Sequence, residues 1–160
     1  MKQLFFATLL LSICVTVNPV QAQNHNHQAL QKRGNVGMGF DQQKNTHHFL
    51  LTKNGGIIQV TANSAADKDS LDEIRMHLQH IEHAFNSGDF NIPMFVHDQT
   101  PPGVPTMKKL KQQIQYKYEP IENGGRVVIS SGNTQAVKAV HEFLAFQIRE
   151  HKTGDAMILK

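Results

Sequence analysis

The chain has 160 residues, 16 lysines and arginines against 13 aspartates and glutamates, a formal charge of +3 and a single cysteine, Cys14. A balance this close, without an arginine-rich face, excludes nucleic acid as a partner. A lone cysteine excludes an internal disulfide and any thiolate-based metal cage.

At the start, Lys2 precedes an apolar run over residues 4–17, followed by Asn18-Pro19 and then Val20-Gln21-Ala22. A charged n-region, an apolar h-region and a small-residue cleavage site spell an export signal, cut after Ala22. The run is too short to span a bilayer comfortably and no second one follows. The expectation is a periplasmic or secreted protein with no stable membrane anchor. Cys14 leaves with the signal, whereas all 10 histidines lie beyond it.

Residues 23–44 are polar, carry Gly34, Gly37 and Gly39, and lack periodicity, so they read as a mobile arm. Residues 45–155 then read as one domain, with 156–160 as a tail. Its first segment, THHFLLTKNGGIIQVTA from Thr46, holds two β-prone runs around Asn54-Gly55. A two-residue turn there would set Leu51 against Ile58, Phe49 against Val60 and His47 against Ala62 on the buried face. His48 would point to the other face.

A helix follows, with Asp67 or Asp69 as N-cap, a stripe of Leu71, Ile74, Leu78, Ile81 and Phe85, and a stop at Ser87-Gly88-Asp89. The connection over residues 86–112 contains PMFVHDQTPPGVPTM, four of whose residues are proline, and reads as a stiffened loop with one short helix at 107–112. The second half repeats the scheme. IQYKYEPIENGGRVVIS from Ile114 alternates and turns near Asn123-Gly124-Gly125, and a helix opens at Asn133 or Thr134 and ends before Gly154. Two ββα units result, neither able to bury its apolar face alone. The fold expected is α+β, a four-stranded antiparallel sheet with two helices packed on one face.

Histidine and methionine supply the candidate chemistry. On the first helix, Glu73, His77 and His80 follow one another at four and three residues, a spacing that can aim two imidazoles at one metal. His141 and His151 fall on the core face of the last helix, where a histidine must be hydrogen-bonded or ligated, and His47 or His48 on the first strand can join His141. The proline-rich connection adds Met94, His97 and Met107, and thioether plus imidazole suits cuprous copper. Cleavage after Ala22 would expose Gln23-Asn24-His25, where the amine, two amide nitrogens and the His25 imidazole make a square-planar cupric site. The metal expected is copper, with zinc as the alternative. No nucleophile elbow, phosphate-cradling glycine loop or His-Glu-x-x-His pattern is present, so transferase or hydrolase activity ranks below binding. A competing reading is a small interaction module that meets a protein partner through the 93–107 loop.

Six motifs carry a family resemblance: MGFDQ at 38–42, THHFLL at 46–51, HLQHI at 77–81, GDFNIPMFVH at 88–97, PPGVP at 101–105 and HEFLAFQIREHKTGD at 141–155. Through them the chain resembles a family of short exported bacterial proteins of uncharacterised function, some of whose members are labelled aspartate carbamoyltransferase. That transferase chemistry needs two α/β domains and an anion-cradling loop, more than this chain holds. The resemblance implies export, one small domain and attention to His47, His48, His77, His80, His97, His141 and His151.

Overall fold

The computed structural model describes residues 19–159, with side chains from Gln28 onward. The signal segment up to residue 18 and the side chain of His25 therefore lie outside the described residues. The elements in order are α1 (Pro19–Met38), β1 (Asn45–Thr52), β2 (Gly55–Ala62), α2 (Lys68–Ser87), α3 (Asn91–His97), α4 (Val104–Lys109), β3 (Gln115–Ile121), β4 (Gly124–Ser130) and α5 (Thr134–His151).

The four strands form one antiparallel sheet in the order β1-β2-β4-β3. Both long helices cover one face of it, as two ββα units require. Each helix crosses to the other unit's hairpin: α2 lies over β3 and β4, and α5 over β1 and β2. Neither unit could keep its core without the other.

The local chemistry of the long helices follows their sequence. Asp67 caps α2 by accepting the Ser70 N–H, and Gly88 ends it in the left-handed region at φ 83. Its buried stripe is Ile74, Leu78, Ile81 and Phe85. Asn133 caps α5 by accepting the N–H groups of Gln135 and Ala136.

The hairpin register differs from expectation by two residues. Thr52 pairs with Gly55, so Lys53-Asn54 forms the turn, and Phe49 faces Ile58 while His47 faces Val60. An even shift keeps every side chain on its face, so Phe49, Ile58, Val60 and Ala62 are buried as expected. The cause is visible at Gly55, φ 147, where a Cβ would collide with the Ile129 carbonyl of β4. That glycine belongs to the strand because a neighbouring backbone crosses it closely.

Two segments are more ordered than their composition suggests. The residues read as a polar arm are helical to Met38, and Leu30 and Phe40 are buried. Arg33 Nε donates to the Val96 carbonyl at 2.9 Å, which ties α1 to α3. The proline-rich connection is folded as α3 and α4, and the helix expected at 107–112 begins earlier, at Val104, where Pro105 suits a first turn. Pro93, Val96, His97, Pro101, Val104 and Met107 are all buried. Among the described residues no helix is long and apolar enough to cross a membrane.

Candidate functional site

Five elements converge on one end of the core. Alternation along β1 turns His47 and Phe49 inward together. One turn of α5 separates Gln147 from His151 on a shared face. His97 is the last residue of α3, His77 flanks the buried stripe of α2, and Met38 ends α1. These side chains line a cavity of about 60 Å³ whose remaining walls are Ile58, Leu78, Ile81, Phe85 and their apolar neighbours. That is room for a few water-sized atoms or an ion.

The rings form a connected set. His47 stacks on His151 with centroids 5.9 Å apart and planes 13° from parallel. His151 meets His97 edge to face at 5.2 Å, and Phe49 lies 5.5 Å from His151. Phe40 stacks on His47 at 5.9 Å and presents an edge contact to His77 at 5.4 Å.

His97 is the best defined of the four. It is 6 % exposed, touches Phe146 edge to face at 4.8 Å, and its Nε2 lies 2.8 Å from Oε1 of the buried Gln147. Because an amide oxygen only accepts, Nε2 carries the proton and Nδ1 keeps its lone pair. Three polar atoms here are buried with no hydrogen-bond partner among the described residues: Nδ1 of His97, Nε2 of His47 and the amide nitrogen of Gln147. Buried polar groups without partners are rare, and a cluster of them around one cavity points to a ligand.

Burial keeps three of these imidazoles, His47, His77 and His97, below the ordinary histidine range. Burial pushes His47 down to about 4, helped by the nearby charge of His48. His77 is pushed down to about 3, again by burial first and then by His47 and His80. His97 is lowered by burial, which outweighs its Gln147 bond and the charge of Glu150. Neutral imidazole is the form that ligates metal.

The other candidate residues lie elsewhere. His80 is exposed on the solvent side of α2. His141 donates from Nε2 to the Thr52 carbonyl at 2.9 Å. His48, on the outer face of β1, bonds through Nδ1 to Asp155 at 2.8 Å, and the second Asp155 oxygen accepts the Phe49 N–H at 2.9 Å. Met94 is half-buried in α3, and Met107 is fully buried in the hydrophobic core. The structure thus brings His47, His77 and His97 together and leaves His80, His141, His48, Met94 and Met107 outside the cavity lining.

Met38 and Gln147 were not marked by their residue type, whereas His151 was expected, with His141, on the core face of the last helix. A signal existed for two of them: Gln147 and His151 are four apart beside the buried Leu144 and Ile148. Among the described residues no three of His, Cys, Asp or Glu stand close enough to hold an ion. The cavity lining includes four histidines and Met38 and no carboxylate, and the surface it presents is almost wholly apolar. Compared with family models, curated proteins and solved structures, the chain matches none.

Proposed function

We propose that this is a metal-binding or metal-handling protein whose site is the histidine-lined cavity, with copper as the metal and zinc as the alternative. One observation carries the reading: Nδ1 of His97 and Nε2 of His47 are buried, neutral and without partners beside the same cavity. The hydrogen bond from His97 to Gln147 is the kind that orients a metal-ligating imidazole, since its second nitrogen is held by a fixed acceptor. Export after Ala22 belongs to the same reading. With Cys14 removed by that cleavage the mature chain has no thiolate to offer, so a copper site in it draws on imidazole and thioether donors. Binding at the Gln23-Asn24-His25 terminus would be a second, independent site.

Competition titration of the chain beginning at Gln23 tests this. Wild type takes up one ion at the cavity. His47→Phe keeps the ring that stacks on Phe40 and removes its nitrogens, so affinity falls roughly tenfold or more. His80→Ala and His141→Ala leave it unchanged. Unchanged binding in folded His47→Phe, or loss in His80→Ala, would sink the assignment.

The rival reading, a protein partner at residues 93–107, draws on Phe95, which is 50 % exposed on α3. Substituting Phe95 by Ser leaves metal affinity intact under the proposal.

A further inference from the structure

Met38 sits where a ligand would be delivered. It is the last residue of α1, Gly39 follows at φ 77 with nothing within 4 Å of a Cβ, and Phe40 then covers His47 and His77. The chain turns at Gly39 beside the cavity wall that Met38 supplies, and sets a thioether on one side of the turn and an aromatic ring on the other. The anchoring is firm. Arg33 bonds the Val96 carbonyl, and a Cβ at Gly37 would stand 3.0 Å from Val96, so α1 is fitted closely to α3, the helix that carries His97.

Methionine most often fills irregular gaps in a core. Met38 packs against the edge of the core and also borders the cavity of about 60 Å³, whose lining it shares with His47, His77, His97 and His151. A thioether at its edge is available to a guest.

Charge decides which guest. The lining has no aspartate or glutamate among the described residues, so an ion would keep its whole charge in apolar surroundings. The Born cost of that transfer rises with the square of the charge, about fourfold from a monovalent to a divalent ion. A soft donor set and a lining without carboxylates favour the same species.

Resting on the metal reading above, we propose that Met38 is a thioether ligand which, with Nε2 of His47 and Nδ1 of His97, makes a three-donor cuprous site that selects Cu(I) over Zn(II). Met38 is then the residue that sets metal choice, while the imidazoles set binding itself.

X-ray absorption on the Cu(I)-loaded full-length mature chain, with Cu(I) and Zn(II) affinities measured beside it, tests this. Wild type shows sulfur in the copper shell. Met38→Leu, close to isosteric, loses that sulfur and about tenfold or more of its Cu(I) affinity but keeps its Zn(II) affinity. Met94→Leu retains the sulfur and serves as control. Sulfur that survives in Met38→Leu overturns the assignment, as does an equal loss of Zn(II) and Cu(I) affinity. A wild-type copper shell of nitrogen alone overturns it even if Met38→Leu fails to fold, and leaves the cavity reading standing. Wild type that takes up no Cu(I) overturns it, and wild type that takes up neither Cu(I) nor Zn(II) removes the cavity reading as well.

Discussion

Ile58 and Val127 pair with each other at the centre of the sheet, and each stands four residues beyond the asparagine of its own hairpin turn, Asn54 or Asn123. The flanking pairs are reciprocal: Gly56 faces Ile129 and Val60 faces Gly125. A local two-fold axis therefore passes between Ile58 and Val127. It relates helices as well as strands, since Leu144 of α5 presses on Gly56 and Leu78 of α2 on Gly125.

Adding a methyl at these two glycines should be unequally costly. A Cβ at Gly56 would meet the Leu144 side chain and the Leu50 carbonyl oxygen at 2.6 Å, and a backbone carbonyl cannot step aside. At Gly125 the neighbours are side chains, Tyr118 at 2.8 Å and Leu78 at 3.0 Å. Gly56→Ala is expected to lose about 1–3 kcal/mol, near the upper end of overpacking costs, and Gly125→Ala less. Urea unfolding ranks them, and the reverse order would contradict the packing described.

Asp155 clasps the outer edge of β1 through His48 and the Phe49 N–H, with Thr153 Oγ1 donating to it at 2.6 Å. Burial pushes its carboxyl up, but the bonds from Thr153, Phe49 and His48 together hold it below the usual carboxylate range. Asp155→Ala should cost about 1–2 kcal/mol and release the Phe49 amide. Hydrogen exchange at that amide is the readout, and unchanged protection would show that the clasp carries no stability.

The buried imidazoles predict acid sensitivity well above the carboxylate range. His47 and His77 are lowered to about 4 and about 3, so between pH 6.5 and about 4 the unfolded chain takes up protons that the folded chain refuses. Stability from these groups is complete above 6.5 and is lost as pH falls through that window, by at most about 1.4 kcal/mol per pH unit for each histidine. Their partial exposure reduces the figure. Metal-free protein should show a urea midpoint that drops from pH 7 to pH 5, with a shallower drop in His47→Phe. A flat profile in wild type would contradict their burial as neutral groups.

Gln147 acts through His97. Gln147→Leu removes the acceptor of the Nε2 proton, frees the ring to change tautomer, and should weaken metal binding roughly 10–100-fold. Gln147→Glu restores an acceptor and should recover much of the loss. Equal affinity in wild type and Gln147→Leu would separate the hydrogen bond from the site.

The sheet and its two long helices were legible because periodicity is strong there: the stripe through Ile74, Leu78, Ile81 and Phe85 and the alternation at His47 and Phe49 need no tertiary information. The turn position was not, because Gly55 answers to the Ile129 carbonyl, 74 residues further along the chain. Helix α1 was illegible for a related reason. It has little apolar stripe of its own, and its order comes from contacts with α3. The site was half legible. His77 and His80 share a spacing, but His77 borders the buried stripe and His80 falls a further step toward solvent. Met38 lay in a stretch read as an arm, so nothing in its surroundings marked it as a cavity residue.

The most direct measurement is nitrogen-15 NMR of the imidazole rings, recorded on metal-free protein and after one equivalent of Cu(I) under anaerobic conditions. Metal-free His97 should show its proton on Nε2. Adding Cu(I) should move Nδ1 of His97 and Nε2 of His47 and leave His48, His141 and the exposed His80 and His83 of α2 in place. Shifts confined to those four, or none at His47 and His97, would contradict a metal site in the cavity.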